Sequence, residues 1–232
     1  MTVFKTIEEC SVELISHTSK VTHYAYGHSL TAMDNFPARA ARVSFANDRS
    51  EHTEEQDAKL INYLADHDHL TPFEYQHATV MIECPLFIRS QIHRHRTFSY
   101  NEISRRYTSE ELEFWMPSTW RVQATDNKQA SAGDIDEFNS GRCHEAHEWL
   151  VRTAVQTYKA MIAEGVAREQ ARAILPQSLL TRFYMGGNLR NWAHFLKLRE
   201  DGHAQYEVRV IAGKIHTILA DLWPASLEAL MK

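Results

Sequence analysis

The residues in this sequence best equipped for chemistry stand together: Arg94-His95-Arg96-Thr97-Phe98-Ser99-Tyr100-Asn101-Glu102-Ile103-Ser104-Arg105-Arg106-Tyr107. Four arginines and a histidine within fourteen residues need an anionic partner in a chain whose net charge is −5. Guanidinium forks match phosphate oxygens two at a time, and the hydroxyls of Ser99 and Ser104 can fill a phosphate's remaining acceptor sites. A nucleotide phosphate fits that chemistry. Composition alone fits a solvated charged stretch equally well. The interleaved Ser, Asn, Glu and Tyr argue for a cleft, because solvated charges need no such companions.

What is missing narrows the chemistry. The sequence has no GxGxxG after a strand and no GxxxxGK[ST], so the usual glycine-rich phosphate loops are absent. It has no GxSxG, and Cys10, Cys84 and Cys143 form neither a CxxC nor a disulfide framework. Cys84 precedes Pro85 on an expected strand and reads as a small apolar residue. Fourteen histidines are many for 232 residues. His67 with His69 lack a nearby third ligand, and His144 with His147 read as a solvated helix face, so no metal is expected.

The positioning elements follow from periodicity. Residues 77 to 84 alternate, with Ala78, Val80, Ile82 and Cys84 on one side, as a half-buried strand does. Pro85 suits the first turn of a helix running to about His95, which places Gln91, Arg94 and His95 on one face. Helical spacing runs from Ala146 to a cap at Gly165, and Trp149 and Trp192 read as core. A short helix from Arg168 must stop near Leu175 ahead of Pro176. Residues 178 to 184 read as a second strand, and Leu189, Trp192, Ala193 and Leu196 as a helical stripe with Arg190 and His194 on another face. Ala204, Val208, Ile211, Ile215, Ile218 and Leu222 mark the last helix. The polar stretch from Thr125 to Gly141 reads as a loop or mobile insert.

Strands mixed with long helices, without a βαβ rhythm, give an α+β fold. The chain, 44% hydrophobic, suits one compact domain over residues 1 to 232. Net negative charge argues against a nucleic-acid coat or an anionic membrane surface. With no signal-like apolar start and no run of eighteen apolar residues, a cytoplasmic protein is expected. An RNA-binding module is the competing reading of the arginine cluster, and it lacks the aromatic stacking motifs such modules use.

The segment from Arg94 to Tyr107 resembles the flavin-dependent thymidylate synthases, whose pattern RHRxxSxNExSxRY it matches without departure. The resemblance extends to Ala41-Arg42-Val43-Ser44-Phe45, His69 before Thr71-Pro72-Phe73-Glu74, Arg168 to Pro176, Thr181-Arg182-Phe183, Asn188, and Leu198-Arg199 followed by His203-Ala204-Gln205. Tyr75 stands where family members often have His, and His194 where Asn is also found. The stretch from Thr125 to Gly141 has no counterpart.

The resemblance implies a single-domain α+β fold with a mainly antiparallel sheet and several long helices. It also implies a homotetramer with active sites at subunit interfaces, each holding FAD and dUMP, with NADPH and methylene-tetrahydrofolate as co-substrates. By the same resemblance Thr71, Arg94, His95, Arg96, Glu102, Asn188, Leu189, Arg190 and His194 contact FAD, with His69 and His203 close to the flavin. Gln91, Ile92, His93, Arg94, Glu102, Ile103, Ser104, Arg105, Arg106, Arg172 and Arg199 form the dUMP site. Arg106, Arg172 and the Ser104 hydroxyl suit the phosphate. Arg199 is the expected catalytic residue, a fixed cation against the uracil edge that makes C5 nucleophilic without a cysteine.

Overall fold

A computed structural model describes residues 2–19, 33–46, 52–106, 111–125 and 131–232. Tyr107, which closes the arginine-rich pattern, lies outside the described residues, as do 126–130 of the polar stretch.

The centre is a four-stranded antiparallel sheet of β2 (Val12–His17), β3 (His77–Pro85), β8 (Leu180–Asn188) and β4 (Ser99–Glu102), in that spatial order. The alternation of β3 does what period two predicts: Ala78, Val80, Ile82 and Cys84 are buried, and Val80 and Ile82 face Met185 and Phe183 across the β8 ladder. Two small ribbons stand beside this sheet. One pairs β1 (Val3–Lys5) in parallel with β5 (Glu113–Trp115), and the other pairs β6 (Arg121–Gln123) with β7 (Ser131–Asp134). Lys5 Nζ reaches Glu83 and Glu113, both at 3.0 Å, and ties the first ribbon to the sheet.

The helices are α1 (Phe36–Arg42), α2 (Glu54–Asp66), α3 (Leu86–Ile92), α4 (Glu137–Ala163), α5 (Arg168–Ala171), α6 (Leu189–Arg199), α7 (Tyr206–Leu222) and α8 (Pro224–Met231). The main core lies between the sheet and α6, α7 and α8, with Trp192, Phe195, Ile211 and Ile215 fully buried. Arg42 and Asp57 form a buried ion pair between α1 and α2. The mixed, mainly antiparallel architecture is the one expected.

Several boundaries differ from expectation, each for a local reason. The helix after β3 ends at Ile92 rather than His95, because the Tyr100 hydroxyl donates to the Ile92 and His95 carbonyls and folds the chain back. Pro85 closes the strand and serves as the N-cap of α3 instead of sitting in its first turn. The stretch ending at Gly141 is not all loop: it contains β7 and the start of α4, where the Asp136 carboxylate accepts from Asn139 N at 3.0 Å and begins the helix nine residues before Ala146. Trp149 is 67% exposed on α4 and is not core, whereas Trp192 is fully buried and its indole donates to the Gly187 carbonyl at 3.1 Å. His144 and His147 are not a solvated face either. Their Nε2 atoms lie 2.7 and 3.1 Å from the carbonyls of Pro117 and Trp115, and their rings pack on Trp120.

Candidate active site

Sheet and helices place the arginine-rich segment at the junction of β4, β8, α3 and α6. β4 lies on β8 with Glu102 opposite Phe183, and Ile103 N donates to Arg182 O at 3.0 Å, so the chain leaves the sheet edge with Ser104 and Arg105 turned into a cavity. That cavity, about 630 Å³, is lined by Arg89, Glu102, Ile103, Ser104, Arg105 and Arg172 among others. Arg172 comes from the 3-10 turn after α5, where buried Ala171 and Leu175 anchor the backbone and leave the exposed arginine over the opening. Three guanidinium groups and a hydroxyl around one opening suit a phosphate dianion. Glu102 accepts from Thr181 Oγ1 at 2.7 Å and lies 3.5 Å from Arg89 Nε.

Gln91, His93, His95 and Arg199 gather where α3 ends and α6 ends. Arg199 Nε donates to His95 Nε2 at 2.9 Å and its Nη2 to the Gln91 carbonyl at 3.4 Å. Both acceptors are neutral. Burial, then Arg199, then His194 pull the His95 imidazole down to about 4. Burial and Arg94 lower the Arg199 guanidinium from its ordinary value. A partly buried arginine held by neutral groups keeps its positive field for a ligand, whereas a carboxylate partner would cancel it. Burial and Arg89 likewise lower His93, whose ring packs on Tyr100 and Phe183 and whose buried Nε2 has no hydrogen-bond partner among the described residues.

His95 yields a stability prediction. Its folded pKa lies below the ordinary 6.5, so between about 6.5 and 4 the unfolded chain binds the extra proton and stability falls as pH falls. The loss amounts to at most about 3 kcal/mol across that window. Thermal melts from pH 7 to pH 4 should show it, and His95→Gln, which keeps an acceptor for Arg199 without titrating, should flatten that part of the profile.

The expected flavin residues are more dispersed. His69 and Thr71 line a second cavity, about 780 Å³, with Phe45, Tyr63 and Tyr75 among its walls. Asn188 caps α6 by accepting from Asn191 N at 2.9 Å, and Arg190 Nη1 pairs with Glu74 at 2.5 Å, tying α6 to the turn that carries Thr71. Arg94, Arg96 and His194 are exposed beside His95, with the His194 ring 6.4 Å from that of His95. Leu189 is fully buried in the core, and its backbone N–H is taken by the Gln76 carbonyl. Ile92 is also fully buried. His203 is exposed and bonds Asp201 at 2.8 Å, and Arg106 is exposed. The aromatic walls and polar rim of the second cavity, with cationic donors on neighbouring elements, fit a planar, phosphorylated group such as FAD.

No thiol competes as nucleophile in this region: burial pushes Cys10 up to about 12 and Cys84 well above the ordinary range. Among the described residues no three His, Cys, Asp or Glu side chains gather as a metal site, and no helix is long and apolar enough to cross a membrane. Sequence reasoning missed Arg89, Arg121 and Glu207. Glu207 carried a signal, since it falls one helical turn before Ile211 and two before Ile215 on the stripe that α7 buries.

An antiparallel α+β scaffold whose arginines and neutral imidazoles converge on a polar cleft defines an enzyme of the nucleotide-handling class. Residues 28–225 match the family described as thymidylate synthase complementing protein. Flavin-dependent thymidylate synthases of Thermosipho africanus and Kosmotoga olearia are 38% and 40% identical, over 86% and 85% of this chain and 87% and 86% of theirs. The one from Thermus thermophilus is 40% identical over 84% of this chain and 71% of its own. A UMP/dUMP methylase from Streptomyces cacaoi, solved with 5-Br dUMP bound, superposes with a TM-score of 0.83 at 26% identity, covering 98% of this chain and 96% of that one. The chain belongs to the thymidylate synthase complementing protein family, that of the flavin-dependent thymidylate synthases.

Proposed function

We propose that this protein converts dUMP to dTMP by reductive methylation, with FAD as resident cofactor, NADPH as reductant and methylene-tetrahydrofolate as carbon donor. The observation that carries the reading is Arg199 held by two neutral acceptors, one of them the carbonyl of Gln91 on α3, the helix whose Arg89 lines the phosphate-suited cavity. Arg172, Arg106 and the Ser104 hydroxyl seat the phosphate, and that fixes the nucleotide's position. Gln91, Ile92, His93, Arg94, Glu102, Ile103 and Arg105 shape the rest of its site; Ile92, being buried, contributes through its backbone. Arg199 faces the uracil edge and stabilises negative charge developing at N3 and O4, so that C5 becomes nucleophilic without a thiol.

FAD would be held by Thr71, Arg94, His95, Arg96, Glu102, Asn188, Arg190 and His194, with Leu189 reaching it only through its carbonyl and His69 and His203 at its margin. Bound there, it supplies the hydride chemistry. The surrounding residues bind, orient and exclude water. We further propose one domain over 1–232, assembled as a homotetramer with sites between subunits and working in the cytoplasm. His69 lines a different cavity from Ser104 and Arg172, which suits a site completed by another subunit, and exposed Phe138, Trp149 and Leu150 on α4 suit burial against another copy.

The test is direct. Purified protein should be yellow, or become so with FAD, and should form dTMP from dUMP, NADPH and methylene-tetrahydrofolate only when FAD is present. Protein that never retains flavin, or forms dTMP equally well without it, overturns the reading. Strongly salt-dependent RNA binding with no preference for dUMP would select a nucleic-acid module instead.

A further inference from the structure

Glu207 is a charged residue 2% exposed on the apolar side of α7. Both of its oxygens are engaged: Oε1 accepts from Arg121 Nη2 at 2.5 Å, and Oε2 accepts from Gln205 Nε2 at 2.9 Å. A carboxylate only accepts, so the amide NH₂ of Gln205 must face it and the Gln205 oxygen must point the other way. That oxygen accepts from Gln91 Nε2. The Gln91 amide is fixed in turn: its NH₂ is committed to Gln205, and its Oε1 has no hydrogen-bond partner among the described residues. The Gln91 backbone carbonyl meanwhile accepts from Arg199 Nη2, so this amide belongs to the residue that also holds the activating guanidinium.

We propose that Glu207 is a positioning residue for pyrimidine selectivity: acting through Gln205, it holds the Gln91 amide with its oxygen presented to the base edge. The inference rests on the thymidylate synthase reading and deepens it. A presented acceptor pairs with a base that carries N–H at position 3, as uracil does. Cytosine has a lone pair there, and two acceptors facing each other leave both unsatisfied. Arg121 extends the relay outward: its Nε donates to Ser131 on β7 at 2.8 Å and its guanidinium lies 4.9 Å over the Tyr206 ring, so the β6–β7 ribbon secures the far end of the chain of amides.

Direction is the feature that tests this. In Glu207→Gln, the new amide oxygen stays with Arg121 and its NH₂ faces Gln205. Gln205 must then turn its oxygen inward, and Gln91 must turn its NH₂ outward. The flavin-loaded variant should bind dUMP at least about tenfold more weakly relative to dCMP than the wild type does, read by calorimetric titration with each nucleotide. The swapped pair Gln205→Glu with Glu207→Gln restores an acceptor toward Gln91 Nε2 and should restore the preference for dUMP. A merely structural role for Glu207 predicts no such reversal.

If the single variant folds and retains flavin while discriminating as the wild type does, the relay is wrong. Should Glu207→Gln not fold, Gln205→Met decides, because it breaks the relay and leaves the pair with Arg121 in place: lost discrimination supports the proposal and retained discrimination overturns it. A wild-type protein that binds neither nucleotide sinks the synthase reading itself. A wild-type protein that binds dUMP, with variants that discriminate unchanged, sinks only the relay.

Discussion

Arg199→Ala is expected to lower kcat on the order of 10²–10³-fold, while flavin stays bound and dUMP still binds. The size follows from the setting. Arg199 is partly buried, its ordinary pKa is lowered by that burial and by Arg94, and its partners His95 and the Gln91 carbonyl carry no negative charge. A cation kept at the end of α6 by neutral acceptors undergoes little reorganisation when charge develops next to it, and this is where preorganised electrostatics contribute most. Arg199→Lys should recover only part of the loss, because an ammonium cannot reach the imidazole and the uracil edge as a rigid fork does. Turnover measured as dTMP formed, alongside flavin absorbance and dUMP titration, separates the outcomes. Normal turnover in Arg199→Ala would show that C5 is activated elsewhere.

Histidine neutrality supports the same division of labour. His95 and His93 sit among arginines, and burial with those arginines disfavours a further proton. Neither is suited to act as a cationic acid near neutrality. His95 instead accepts the Arg199 N–H through Nε2, which leaves its other nitrogen as the protonated one.

How much of this was legible in the sequence depended on whether a signal was local. Alternation marked β3 because one face of it is core, and the α7 stripe marked a helix because Val208, Ile211 and Ile215 are all buried. The arginine-rich segment could be read as an anion site because residue type alone carries that chemistry. Trp149 was misplaced because periodicity locates a stripe but not its partner, and the apolar side chains along α4 are not all covered. The imidazoles of His144 and His147 fit carbonyls at Trp115 and Pro117, some thirty residues earlier, which no helical spacing could indicate. The Glu207 relay escaped for the same reason: Gln91 and Gln205 meet only once α3 packs on α7.

Arg172→Ala should act on binding rather than on chemistry, with dUMP affinity falling about 10- to 100-fold as a charge-assisted contact worth roughly 1.5–3 kcal/mol is lost. The turn that carries Arg172 is fixed by buried Ala171 and Leu175, and within the cavity the arginine faces a lining that includes Ser104, Arg89 and Arg105. Its bond from Nε to the Glu169 carbonyl, 3.4 Å, is long, and the side chain can turn toward a phosphate at little cost. Deoxyuridine, which lacks the phosphate, provides the control. If Arg172 holds the phosphate, the variant and the wild type should bind deoxyuridine alike while differing on dUMP, and kcat at saturating dUMP should stay within a few-fold of wild type. Equal losses on nucleoside and nucleotide would place Arg172 on the sugar or the base instead. The contrast with Arg199 is then one of depth: the exposed arginine at the cavity mouth sets how often the nucleotide is seated, and the half-buried one at the end of α6 sets what happens once it is.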